Sequence, residues 1–267
     1  MHNVKAKHHM IEYWLRAYEQ MMNSIYFLHR KIAMNLVSNT SNTPDQQPIT
    51  NISTSAIQNK YGLATSSDPQ IWTSFYEQDT HIAIWQRNNS GTIQKSIEAL
   101  LAVNTFSQLQ FSCPTEDVAQ KLALHMPDFE NREVLLEDIA LLSDMFACLF
   151  DQDAIGLRLR VIDTPMCPRF HIDQVPSRLV TTYAGPATEW VPNEFADRSK
   201  LGAGNNGLSD EESGLLQQPC HIQSMQTGDV ALLKGGRWQG NEDKGLIHRS
   251  PNNSSGQKRL LLTLDFA

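Results

Sequence analysis

His171-Ile172-Asp173, His248 and Arg259 are the residues of this chain whose types and spacing can do chemistry together. If the segment around Ile172 is extended, residues two apart project from one face, so His171 and Asp173 point into one cavity. A second imidazole, His248, arriving from another strand would put two histidines and one carboxylate on one face of a metal. That donor set suits Fe(II) and leaves positions open for further ligands. Arg259 opens the last apolar strand and is placed to anchor a carboxylate co-substrate. Its planar guanidinium grips a carboxylate through two parallel hydrogen bonds, where a lysine offers only a point charge. Along residues 258–266, Arg259 shares a face with Leu261, Thr263 and Asp265, while Lys258, Leu260, Leu262, Leu264 and Phe266 share the other. A surface or ion-paired arginine is the competing reading of Arg259.

Other polar residues surround this set. Tyr183, or Thr181 on the same strand face, is a candidate hydrogen-bond donor to the co-substrate, with packing as the plainer role for a tyrosine in a strand. Arg169 and Arg178 flank the His-x-Asp and are candidates either to receive an anionic substrate or to form ion pairs. Trp190 and Trp238 are candidate pocket walls, with core packing the plainer role for Trp190. Cys167 lies four residues before His171 and is a candidate extra ligand, although a hard oxygen-and-nitrogen site needs no sulfur. Cys220 and His221 are adjacent, so on a strand they face opposite ways and do not share one ion.

The elements that must position these residues follow from hydrophobic periodicity. Residues 1–37 contain an apolar stripe from Ile11 to Ile32 at helical spacing, and residues 38–67 are polar, rich in Ser, Thr, Asn and Gln, and read as a flexible linker. From residue 68 a single domain is expected to run to residue 267. A short helix around Ile71 to Tyr76 precedes a strand over 80–85, and helical segments follow near 97–103 and 116–125. A long helix comes next, with Asn131 as its expected cap. After Asp151 the pattern changes to alternation, with β-type runs at 155–161, 178–183, 189–191, 221–225, 230–234 and 258–266. A helical first half bracing a C-terminal antiparallel barrel or sandwich, at about 152–267, is the simplest architecture. The Gly-rich, acidic stretch 193–218 reads as a long mobile insert, of the kind that covers a substrate site or lies loose on the surface.

Composition narrows the partners. The chain has 267 residues, 40% hydrophobic and 19% charged, with a net charge of -7. Its pI near 5.7 and the lack of a long Lys/Arg run argue against nucleic acid or an acidic membrane surface as the primary partner. Small-molecule or protein substrates remain. No stretch reaches eighteen uninterrupted apolar residues and the start has no apolar leader region, so a cytoplasmic location is expected. The four cysteines are widely spaced without a CxxC pair, which predicts reduced thiols.

With nine histidines, a lone His-x-Asp is a weak signal; its context gives it weight. The His-x-Asp, the Gly228-Asp229 turn, His248-Arg249-Ser250-Pro251 and Arg259 resemble the Fe(II)/2-oxoglutarate-dependent oxygenase superfamily. Gly185-Pro186-Ala187-Thr188 also occupies the place of the Gly-x-x-Thr turn that many of those enzymes carry. More narrowly, Ile71-Trp72, Ile82 to Arg87, Cys167 to Asp173 and Thr182 to Pro186 resemble the bacterial family DUF1826, over residues 68–267. The resemblance implies an α+β chain whose C-terminal barrel is a double-stranded β-helix, cupin- or jelly-roll-like. It further implies Fe(II) on His171, Asp173 and His248, 2-oxoglutarate on Arg259, and hydroxylation of a substrate that the motifs do not name. A second class is a cupin-like protein that holds Zn or another divalent ion for sensing, storage or delivery. A third is an interaction protein that merely keeps the barrel.

Overall fold

The computed structural model describes residues 61–87, 89–163, 168–252 and 257–267. The helix expected within residues 1–37, most of the stretch expected as linker, and Cys167 lie outside the described residues. The tail of the expected linker is a strand instead. Leu63–Ser66 (β1) pairs in parallel with Ile82–Trp85 (β2) and buries Ala64 completely. Polar composition hid it, because a four-residue edge strand needs only ladder hydrogen bonds and one buried position.

Pro69–Tyr76 forms a 3-10 helix capped by Asp68, whose carboxylate accepts from the Gln70 amide, and it buries Ile71, Trp72 and Phe75. The first α-helix, Gly91–Ala102 (α1), starts on the Ser90 hydroxyl, which accepts from the Ile93 amide. Gln108–Pro114 (β3) then runs along a sheet edge. Its sequence gives little sign of this, since only Cys113 is buried. Val118–His125 (α2) and Arg132–Phe150 (α3) are the other α-helices among the described residues. Asn131 precedes α3 but does not cap it through its side chain: it sits in the left-handed region at φ 55, and its side chain makes no capping hydrogen bond. Asparagine tolerates that conformation, so its contribution is to the turn.

The remaining strands are Ala154–Ile162 (β4), Ser177–Ala184 (β5), Glu189–Val191 (β6), Gln223–Ser224 (β7), Val230–Lys234 (β8), Ile247–Arg249 (β9) and Arg259–Phe266 (β10). Together with the helices they make a mixed α/β architecture dominated by one seven-stranded sheet, in the order β1-β2-β8-β5-β10-β4-β3. All its pairs except β1 with β2 are antiparallel. A second sheet of three strands, β7-β6-β9, lies against it. Trp190 and Met225 from the small sheet's side share a buried cluster with Ile82, Val180 and Leu233 of the large one.

Each face of the large sheet has its own chemistry. Ile155, Leu157 and Leu159 of β4 and Leu260, Leu262 and Leu264 of β10 are fully buried on one face. Burying each such side chain contributes about 1.5–3 kcal/mol. There α3 is packed through Phe146 and Phe150, whose rings lie 5.6 and 5.2 Å from Phe266. The alternate residues, Arg158 and Arg160 of β4 and Arg259, Leu261 and Thr263 of β10, look the other way, into the space between the sheets. Among the described residues no helix is long and apolar enough to cross a membrane.

Candidate metal centre and arginine-lined cavity

His171 and His248 are neighbours across a single antiparallel bridge. Each backbone amide donates to the other's carbonyl, both at 3.0 Å. Residues directly opposite in such a pair project to the same side, and the two imidazole centroids lie 4.6 Å apart. His248 is in β9, where it faces Trp190 of β6. It therefore points inward, while Ile247 and Val191 point out to a separate cluster with Phe170 and Leu215.

Asp173 follows two residues after His171 and closes the set. Its Oδ1 is 3.7 Å from His171 Nε2 and its Oδ2 is 3.3 Å from His248 Nε2. The ligand atoms of all three residues lie within 4.8 Å of one another. Each Nδ1 is engaged by a backbone carbonyl, His171 with Arg169 at 3.0 Å and His248 with Leu246 at 3.2 Å. That arrangement favours a proton on Nδ1, so that a metal replacing any Nε2 proton would find both Nε2 lone pairs on the carboxylate's side, the tautomer a metal requires. Burial alone would raise the Asp173 carboxyl, but the two imidazoles and Arg178, at 2.7 Å, outweigh it and hold it well below the usual carboxylate range. Burial would lower His171, yet its bond to Asp173 and the Arg169 carbonyl leave it raised. Two imidazoles crowded on one ionised carboxylate, each with its outer nitrogen already satisfied, fit a divalent cation.

The segment carrying His171 and Asp173 is held by close backbone approach. A Cβ on Gly235, just after β8, would stand 1.9 Å from the Val175 carbonyl oxygen, so only glycine allows the bonds from Gly235 to Pro176 and from Gly236 to Asp173. Arg178 ties this end to the large sheet by reaching Asp173 and, through Nε at 2.7 Å and Nη2 at 2.9 Å, Asp265. Arg158 also pairs with Asp265.

Two of the three, His171 and His248, line a cavity of about 270 Å³ whose wall also includes Arg178, Arg259, Val180 and Leu233. Arg259 is only 3% exposed. Among the described residues no carboxylate pairs with it. Nη1 donates to Ser250 and Nη2 to Thr182 and Thr188, at 3.2, 3.1 and 2.9 Å, and Nε has no partner. Burial pushes the guanidinium down to about 10. A cation desolvated this far without a counter-ion is costly unless an anion joins it.

The other expected co-substrate contacts fall on the wrong face. A register shift passes from Leu260 opposite Ala184 to Leu261 opposite Thr182, skipping Tyr183. Tyr183 is fully buried toward α3, where its hydroxyl donates to Asp138 at 2.6 Å beside the Arg87–Asp138 ion pair. Thr181, opposite Leu262, likewise belongs to the helix-side face. Thr182, which alternates with Thr181 and Tyr183 and shares its face with Val180 and Arg178, takes the inward role instead. Thr188, the last residue of the Gly-x-x-Thr turn, completes the hydroxyl cradle of Arg259.

Trp190 packs in the core, and Trp238 joins an aromatic group with Phe75, Tyr76 and Phe150 away from the cavity. Arg169 donates to the Leu208 and Gly207 carbonyls. His221 stacks on Phe195, with centroids 3.9 Å apart. The stretch 193–218 is built rather than loose. Leu215 is buried against the outer face of the small sheet, and Asp210 accepts from the Phe170 amide at 2.8 Å and from Arg249 at 3.1 Å. Sequence reasoning passed over Arg158 and Arg160, since charged residues alternating with buried ones ordinarily mark a solvent face.

A family model described as a protein of unknown function, DUF1826, matches residues 66–265. No curated protein matches the chain. Among solved structures, a putative oxygenase from Shewanella oneidensis aligns over 76% of this chain and 88% of its own, at 12% identity and a TM-score of 0.43. A rice dioxygenase for auxin oxidation aligns over 70% and 73%, at 8% identity and a TM-score of 0.41. HygX from Streptomyces hygroscopicus, solved with nickel and 2-oxoglutarate bound, aligns over 73% and 84%, at 14% identity and a TM-score of 0.38. These likenesses are distant, and the function is read from the side chains.

Proposed function

We propose that this chain, which belongs to the DUF1826 family, is a non-haem Fe(II)- and 2-oxoglutarate-dependent oxygenase on a double-stranded β-helix whose two walls are the seven- and three-stranded sheets. One observation carries the reading: a cavity lined at one place by the two histidines has in its wall a buried guanidinium with no carboxylate partner among the described residues. A metal-storage protein needs the first feature and has no use for the second.

When bound, Fe(II) with 2-oxoglutarate and dioxygen supplies the oxidising power: the oxo acid leaves as succinate and CO2, and one oxygen atom enters a substrate C–H bond. His171, Asp173 and His248 would hold the metal from one side and leave the cavity side open. Arg259, fixed by Thr182, Thr188 and Ser250, would grip the far carboxylate of the oxo acid through paired N–H donors. Val180, Leu233 and Leu261 line the same cavity and keep water from the reacting groups.

Anaerobic titration of metal-free protein with Fe(II), with and without 2-oxoglutarate, tests this. A weak visible charge-transfer band is expected only when both are present, and it should be lost in His171→Ala and Asp173→Ala. Metal binding without any band would instead favour a cupin-like protein that handles Zn or another divalent ion.

A further inference from the structure

Asp173 has two oxygens, and a cation already stands against one of them. Arg178 Nη1 is 2.7 Å from Oδ2, while Oδ1 faces His171 Nε2 at 3.7 Å. The arginine contact is an ion pair rather than an aligned hydrogen bond, since Oδ2 has no hydrogen-bond partner among the described residues. Arg178 also lines the cavity, with 21% of its side chain exposed.

Its place there is fixed from behind. Arg178 is directly opposite Asp265 across the β5–β10 pair, and its Nε and Nη2 fork onto the two Asp265 oxygens at 2.7 and 2.9 Å. A planar guanidinium held at two nitrogens presents the third at a set position, which a lysine could not do. Asp265 is buried and also pairs with Arg158, so it keeps a cationic partner if Arg178 is removed. The sign of the contact matters. An acceptor behind a metal ligand strengthens the ligand's donation, whereas a cation draws charge away and occupies the oxygen it faces. A site that only holds a divalent ion gains from a bare carboxylate with both oxygens free. One that must also seat a chelating co-substrate gains from a carboxylate limited to one oxygen, because coordination positions then stay open.

We propose that Arg178, locked by Asp265, is a positioning residue that reserves Asp173 Oδ2 and confines the carboxylate to one metal-binding oxygen, Oδ1. This rests on His171, Asp173 and His248 being the metal ligands, and its consequence for 2-oxoglutarate rests on the oxygenase reading.

The test is titration of the metal-free protein with Co(II), whose visible d–d bands weaken as the number of ligating atoms rises. In Arg178→Met, Co(II) should bind about tenfold more tightly, a change of the size that outer partners of metal ligands exert. Its bands should weaken as the freed Oδ2 joins the metal. 2-Oxoglutarate must then displace that oxygen, so it should bind the Co(II)-loaded variant about tenfold more weakly although Arg259 is untouched. Arg178→Lys keeps the charge and should return all three readings toward the wild type. Arg178→Gln keeps a donor for Asp265 without the charge, and it should reproduce the methionine result if Arg178→Met does not fold. A mere tie between segments would do the opposite: weaker Co(II) binding with unchanged bands would overturn the proposal, as would affinity and bands that do not move. Failure of 2-oxoglutarate to bind the Co(II)-loaded wild type would strike the oxygenase reading alone, since the metal affinity and the bands still judge Arg178. Failure of Co(II) to bind the wild type would remove the metal centre, and this role of Arg178 with it.

Discussion

Replacing Arg259 with methionine should separate what this residue does for the fold from what it does for a ligand. Arg259 is 3% exposed, and burial lowers its guanidinium from the ordinary arginine range to about 10. At about 1.4 kcal/mol per pKa unit, that is a desolvation cost of roughly 3 kcal/mol. The opposing contribution is three hydrogen bonds to hydroxyls, each worth about 1 kcal/mol net. The two nearly cancel, and methionine refills much of the volume. The ligand-free variant should therefore unfold within about 1 kcal/mol of the wild type, although a buried charged residue has been removed. Binding should respond differently. Losing a desolvated charge partner costs about 2–5 kcal/mol, so 2-oxoglutarate affinity should fall at least 30-fold or so. Urea unfolding gives the first quantity and anaerobic titration the second. Arg259→Lys should recover only part of the affinity, since the ammonium cannot make the two-point contact. A stability loss above about 3 kcal/mol would refute this accounting and make Arg259 a structural residue. Unchanged 2-oxoglutarate affinity would remove it from the site.

Three other perturbations probe neighbouring claims. Gly185 has φ +79, and a Cβ there would stand 2.8 Å from the Lys258 carbonyl oxygen and 3.0 Å from the Arg259 Cα. Gly185→Ala should then cost about 1–3 kcal/mol in thermal unfolding and weaken 2-oxoglutarate by displacing β10; full affinity would show that the strand does not yield. Lys234 is buried beneath Phe75 and Trp238, donating to the Glu77 carbonyl at 2.6 Å, and burial, opposed by Asp79 and Glu77, pushes it down to about 8. Because the unfolded chain binds this proton more tightly, the burden is full below pH 8 and lifts as pH rises toward 10.5. The Tm of the wild type should therefore gain on that of Lys234→Met across this window, and a constant difference would contradict the lowered value. Asp210→Asn weakens the acceptor of the Phe170 amide and leaves Arg249 with Glu189 and Glu211. A loss of about 1–3 kcal/mol is expected, with several-fold weaker Zn(II) binding because His171 follows Phe170; unaltered metal affinity would show that this tie does not position the histidine.

Much of the candidate site is legible in the residue order because the chemistry is compact. His171 and Asp173 are two apart, so a local extended backbone suffices to put them on one face. Arg259 is followed by a strand whose alternation separates it from Leu260, Leu262 and Leu264, and that division is the one observed. What alternation cannot tell is which face looks inward. Both faces of the large sheet are covered, one by helices and one by the second sheet, so the arginines of β4 line a cavity where a single covered face would have put them in water. The partnership of His248 with His171 depends on a single bridge between segments far apart in sequence. The exchange of Tyr183 for Thr182 depends on which face of β5 meets the cavity: Thr181 and Tyr183 share the helix side, and Thr182 lies with Val180 and Arg178 on the other. Even the missing partner of Arg259 is a tertiary fact. Charge is countable from composition, but whether a guanidinium meets a carboxylate, a hydroxyl or an empty cavity is decided by packing across the sheets.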